Sequence, residues 1–128
     1  MLINLSNHPS ALWSQEQINA ASVYGEIFDI SFPAVNPDAT PQEIASMAEK
    51  LTSEVLFVLA NKKELNFPSA VHIMGELSLC FSTIIRLQKN HITCLCATTT
   101  RMVITDENNN KISQFCFHNF RPYELFEK

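Results

Sequence analysis

Val71-His72-Ile73-Met74-Gly75-Glu76 is an apolar run that stops at a glycine and a carboxylate, and the figure recurs along the chain. Leu2-Ile3-Asn4-Leu5 gives way to Ser6-Asn7-His8-Pro9, and Ile27-Phe28-Asp29-Ile30 to Ser31-Phe32-Pro33. Ile92-Thr93-Cys94-Leu95-Cys96 passes through Ala97 to Thr98-Thr99-Thr100-Arg101. Short, near-continuous apolar runs suit parallel strands buried on both faces. If helices join them, the four loops meet along one edge of one sheet. Open α/β sheets bind ligands at the carboxyl ends of their strands.

The intervening segments carry helix signals. Ser14-Gln15-Glu16-Gln17 matches a capping box, and Gly25 is placed to close the helix that follows. Thr40-Pro41-Gln42-Glu43 combines an N-cap, a first-turn proline and a capping glutamate. That helix is predicted to run to about Lys62, with Ile44, Met47, Ala48, Leu51, Val55 and Leu59 at helical spacing. A third is predicted over Glu76 to Lys89, with Leu77, Cys80, Phe81, Ile84 and Leu87 facing inward.

Strands are predicted over residues 1–6, 26–32, 70–74 and 91–97. Two more, 101–105 and 111–117, flank the turn Asp106-Glu107-Asn108-Asn109-Asn110. The expected fold is therefore α/β, a three-layer doubly wound, mainly parallel sheet with helices on both faces and a C-terminal β-hairpin. One domain is expected over residues 1–128, with the first strand between the second and third. The ligand crevice then opens between the loops after strands one and three.

Bulk composition narrows the chemistry. With 128 residues, 46% hydrophobic and 17% charged, the chain can bury a core without staples. The net charge of -4 and the scattered basic residues, Lys62-Lys63 being the one adjacent pair, argue against a long nucleic-acid partner. A small anionic ligand remains open, because helix N-termini and single arginines can hold a few phosphates. No apolar stretch is long enough for a membrane span, and the N-terminus lacks a signal peptide's features, so a cytoplasmic protein is expected. Cys80, Cys94, Cys96 and Cys116 read as reduced core thiols. No residues are spaced for a metal, and no glycine-rich nucleotide loop is present, so neither metal nor cofactor is expected.

The strand-end loops hold the candidate site. Ser6, Asn7 and His8 offer a hydroxyl, an amide and an imidazole, or simply an Asx-type turn. Gly75 and Glu76 open a helix whose free N–H groups can bind phosphate, or make a tight turn with a favourable first-turn acid. Thr98, Thr99 and Thr100 present hydroxyls, and Arg101 a guanidinium able to grip phosphate, or the set is a polar connection with a surface ion pair. Trp13 either stacks on a base or anchors the first helix, and His72 reads as a satisfied core histidine.

With those residues in place, the chain resembles the small standalone CRISPR-associated ring nucleases with a Rossmann-like, CARF-type fold. Asn4 to Ser10, Phe32-Pro33-Ala34 with Pro37, Val71 to Glu76, and Ala97 to Arg101 carry the resemblance. It implies a homodimer that binds cyclic oligoadenylates, most often cyclic tetra-adenylate, and cleaves them without a metal. In that chemistry a ribose 2′-hydroxyl attacks the adjacent phosphate, which demands in-line positioning and charge stabilisation. The resemblance casts Arg101, the Thr98 to Thr100 hydroxyls and the N–H groups near Gly75 as phosphate binders, with His8 or Glu76 moving a proton. Two alternatives stay open: a messenger-binding protein without turnover, and an unrelated nucleotide-processing enzyme on the same fold.

Overall fold

The computed structural model describes residues 1–62 and 66–126, so Lys63 lies outside the described residues. Five strands, β1 (Leu2–Ser6), β2 (Ile27–Ser31), β3 (Ala70–Ile73), β4 (Thr93–Thr105) and β5 (Lys111–Pro122), form one sheet in the order β2-β1-β3-β4-β5. The first four are parallel to their neighbours, and β5 runs antiparallel to β4. Three α-helices, α1 (Gln15–Ala21), α2 (Pro41–Lys62) and α3 (Leu77–Lys89), make the connections. The expected Rossmann-like α/β class holds, and so does the place of the first strand between the second and third, although the middle strand of the five is β3.

Strand alternation divides the core into two layers. Ile3, Leu5, Val71, Ile73 and Cys94 turn to one face, where α2 and α3 cover them with Ala48, Leu51, Val55, Leu79 and Leu87. Leu2, Ala70 and Leu95 turn to the other, against Trp13 and Ala21 beside α1. Local chemistry sets the helix ends. Ser14 caps α1 through the Gln17 N–H, and Thr40 Oγ1 accepts from the Glu43 N–H at the start of α2. Gly25, with φ 82°, ends the turn after α1 in a conformation that glycine adopts without strain.

Two expectations need correcting. Leu77 and Phe81 of α3 do not face inward with Cys80, Ile84 and Leu87: they are 85% and 65% exposed, because Leu77 opens the helix and Phe81 falls on its outer side. Thr98, Thr99 and Thr100 are not a loop between two strands. β4 runs unbroken from Thr93 to Thr105, and β5 reaches Pro122 rather than stopping at Phe117. Threonines fit a pleated strand, and no glycine or proline interrupts this stretch. The register slips once: Thr98 pairs with Asn119 and Thr99 with Phe117, leaving His118 as the extra residue of a bulge. Thr98 Oγ1 clamps the bulge, donating to the Asn119 carbonyl (3.1 Å) and accepting from its N–H (3.0 Å). His91 is also outside the strand; with φ 60° it occupies the left-handed position just past α3.

Candidate functional site

A polar row crosses three neighbouring strands on the α1 face. Asn4 of β1 lies in register with Asp29 of β2 and with His72 of β3. Its Nδ2 donates to Asp29 Oδ1 and to the His8 carbonyl, each at 2.9 Å. Its Oδ1 accepts from Ser6 Oγ at 2.7 Å and meets His72 Nδ1 at 2.9 Å. Both amide protons and both lone pairs of Asn4 are then occupied. Because Asn4 Oδ1 can only accept, His72 Nδ1 must carry its proton, and Nε2 is left with a bare lone pair.

This row shapes the loop after β1. The His8 carbonyl receives Asn4 Nδ2 and also Trp13 Nε1 (3.0 Å), while Asp29 holds Ser10 through its hydroxyl (2.9 Å). The loop backbone is pinned, and the side chains of Asn7 and His8 stay exposed. They stand at a cavity of about 620 Å³ between the ends of β1 and β3, where the strand order reverses. Ser6, Gln17, His72, Gly75 and Thr99 contribute its polar lining. Leu12, Met74, Phe115 and Phe117 give it an apolar, partly aromatic wall.

His72 lies beneath this cavity, 2% exposed, with its ring edge-on to Trp13 and Phe120. Burial, helped by the nearby His8, pulls its pKa down to about 4, so the ring is neutral at pH 7. Nε2 is one of two buried side-chain polar atoms without a hydrogen-bond partner among the described residues; the other is Thr83 Oγ1 in α3. An orphaned acceptor of this kind costs roughly 1–3 kcal/mol.

The candidate residues divide clearly. Ser6, Asn7, His8, Gly75 and Thr99 come together around the cavity. Thr98 and Thr100 alternate to the opposite face of β4, Thr98 in the bulge and Thr100 bonded through its hydroxyl to His118 Nε2. Arg101 shares the face of Thr99 but lies farther out, its guanidinium on Ser113 Oγ at 2.9 Å. Trp13 is buried as an anchor, 7% exposed.

Glu76 is the N-cap of α3: its carboxylate accepts from the Ser78 and Leu79 N–H groups and from the Ser78 hydroxyl. The Ser78 hydroxyl and then the two N–H groups hold its pKa below the ordinary value. Two of the helix donors that a phosphate would use, the Ser78 and Leu79 N–H groups, are thus already taken. Gly75 has a packing reason as well, since a Cβ there would stand 2.5 Å from ring atoms of buried Phe32.

The Asn4–Asp29–His72 row is not legible as a site in the sequence, nor are Phe115 and Phe117, and the expectation of a satisfied core histidine holds for burial but fails at His72 Nε2. One signal was available for the row: each polar residue interrupts an apolar strand at the same phase. A larger groove of about 1060 Å³ lies between α3 and residues Tyr123 to Phe126, sharing Met74 and Gly75, but its lining is mostly apolar. No group of three or more His, Cys, Asp or Glu side chains is arranged to hold a metal among the described residues. No helix among them is long and apolar enough to cross a membrane.

Residues 1–121 match the family described as Uncharacterized protein MJ1673 family, and the chain belongs to it. No curated protein and no solved structure matches the chain.

Proposed function

We propose that this member of the MJ1673 family is a cytoplasmic, homodimeric ring nuclease that binds cyclic oligoadenylate, cyclic tetra-adenylate first, and cleaves it to switch off type III CRISPR signalling. The observation that carries the reading is the cavity at the β1/β3 crossover, where hydroxyl, amide and imidazole groups face an aromatic wall. Phosphates and riboses suit the polar groups, and bases suit Phe115 and Phe117.

In this mechanism the 2′-hydroxyl attacks the neighbouring phosphorus and the 5′-oxygen leaves. The products are a 2′,3′-cyclic phosphate at one end and a 5′-hydroxyl at the other. His8, exposed at the cavity, takes the 2′-proton or supplies one to the leaving oxygen. Thr99 donates to a phosphoryl oxygen. Arg101, two residues on and about 7 Å along the strand, approaches the same phosphate by exchanging its Ser113 bond. Glu76 serves this site by fixing the start of α3 rather than by moving a proton.

A second reading, binding without turnover, draws on a specific observation. The Ser78 and Leu79 N–H groups of α3 are capped by Glu76 and the Arg101 guanidinium is held by Ser113, so transition-state charge has fewer free donors. Incubation with cyclic tri-, tetra- and hexa-adenylate in EDTA, resolved by chromatography, separates the two. We expect linear product from the tetra-adenylate, ending in a 2′,3′-cyclic phosphate. Tight binding of an intact ring supports the second reading, and absence of binding contradicts both.

A further inference from the structure

His72 combines three properties that a merely structural histidine does not need. Its tautomer is fixed by a fully satisfied amide, since Asn4 Oδ1 takes the Nδ1 proton while Asn4 Nδ2 is held by Asp29 and the His8 carbonyl. Its Nε2 has a lone pair and no hydrogen-bond partner, and the residue is among those that line the cavity. Its surroundings are flat and apolar, with Trp13 and Phe120 against the ring and Phe117 beyond. A group held this way can accept a hydrogen bond and cannot donate one. A buried polar atom left unpaired asks for an explanation, and a ligand that donates to it supplies one.

We propose that His72 Nε2 is the base-reading acceptor of the cavity, receiving a hydrogen bond from the exocyclic amino group of a planar heterocycle. This rests on the reading above, in which that heterocycle is adenine. An adenine 6-amino group offers the N–H that Nε2 lacks. A 6-oxo purine presents a carbonyl there, placing two acceptors face to face with no proton between them. Sites built around a buried polar group reject analogues that leave it unpaired. Nε2 is closed to solvent, so the ring seats by moving part of the wall aside. Met74, unbranched and 43% exposed, is suited to that movement.

The test uses the full chain labelled with ¹⁵N-histidine at pH 7, with the His72 signals assigned by their loss in His72→Gln. Cyclic tetra-adenylate is expected to move the Nε2 resonance upfield, as acceptance of a hydrogen bond requires. The corresponding cyclic tetra-inosinate should bind at least about tenfold more weakly to the wild-type chain. His72→Gln, whose amide both donates and accepts, should bring that ratio close to one, its fold checked by thermal melting. If the tetra-adenylate binds with Nε2 unmoved and the inosine ring binds equally well, the assignment of His72 is overturned while the proposed function stands. If the tetra-adenylate does not bind, the proposed function falls and AMP and IMP take its place. Movement of Nε2 by AMP alone then supports the His72 assignment, and movement by neither, or by both alike, overturns it. If the variant fails to fold, the His72 ring signals are assigned in the wild-type chain by through-space contacts to Trp13 and Phe120, whose rings lie 5.4 and 5.6 Å away, and the wild-type spectra then decide the matter.

Discussion

β4 belongs to two different environments within thirteen residues. Its first part, through Cys94 and Leu95, pairs with β3 and is buried. Beyond the bulge at Thr98 and Thr99 it pairs only with β5, and Met102, Val103 and Ile104 are 43–58% exposed. β5 shows the same contrast, with Phe120 packed on His72 and Trp13 while Ile112 and Phe115 are 51% and 66% exposed. Strand-forming residues occupy both parts. What differs is the neighbours: the parallel sheet has helices on each side, whereas the hairpin arm lacks them. Local sequence makes a strand, and the layers around it decide what the strand contributes.

Substitutions in the two regions should therefore differ sharply in cost. Leu5→Ala, at a fully buried position in β1 between β2 and β3, should lower unfolding free energy by roughly 2–5 kcal/mol in urea titration. A loss below about 1 kcal/mol would mean that the central sheet is not the packed region. Next comes His72, whose pKa is about 4 when folded against an ordinary 6.5. As pH falls, the unfolded chain takes the proton first, so stability should drop through that interval by up to about 3 kcal/mol. His72→Gln should flatten the profile, and an unchanged slope would deny the burial of the neutral ring.

Gly75→Ala should cost about 1–3 kcal/mol, because the new methyl meets Phe32. Unaltered stability there would show that the Phe32 ring yields freely. Val103→Ala on the arm comes last, with an expected change within about 0.5 kcal/mol. A larger loss would mean that a second chain covers the arm.

Much of the fold was legible because its signals were local. The capping residues of α1 and α2, the helical spacing from Ile44 to Leu59, and the Asp106–Asn110 turn all act within a few residues. The β4 continuation was not, because Thr98 to Thr100 read as polar loop or as strand until β5 supplies hydrogen bonds along its whole length. The site was half legible for a related reason. Position at strand ends picked out Ser6, Asn7, His8 and Gly75, but face is set by register. Thr99 lines the cavity and Thr98 and Thr100 turn away through alternation alone. The Asn4–Asp29–His72 row joins residues up to 68 positions apart and exists only once three strands are aligned.

Titrating the ¹⁵N-labelled chain with cyclic tetra-adenylate and following backbone amide shifts tests the central claim most directly. We expect the largest movements at Asn7, His8, Gly75, Thr99 and Phe117, around the β1/β3 cavity, with the parallel sheet's buried α2 face unmoved. Shifts confined to the groove lined by Phe81, Ile85 and Phe126, or no shifts at saturating ligand, would contradict the placement of the site.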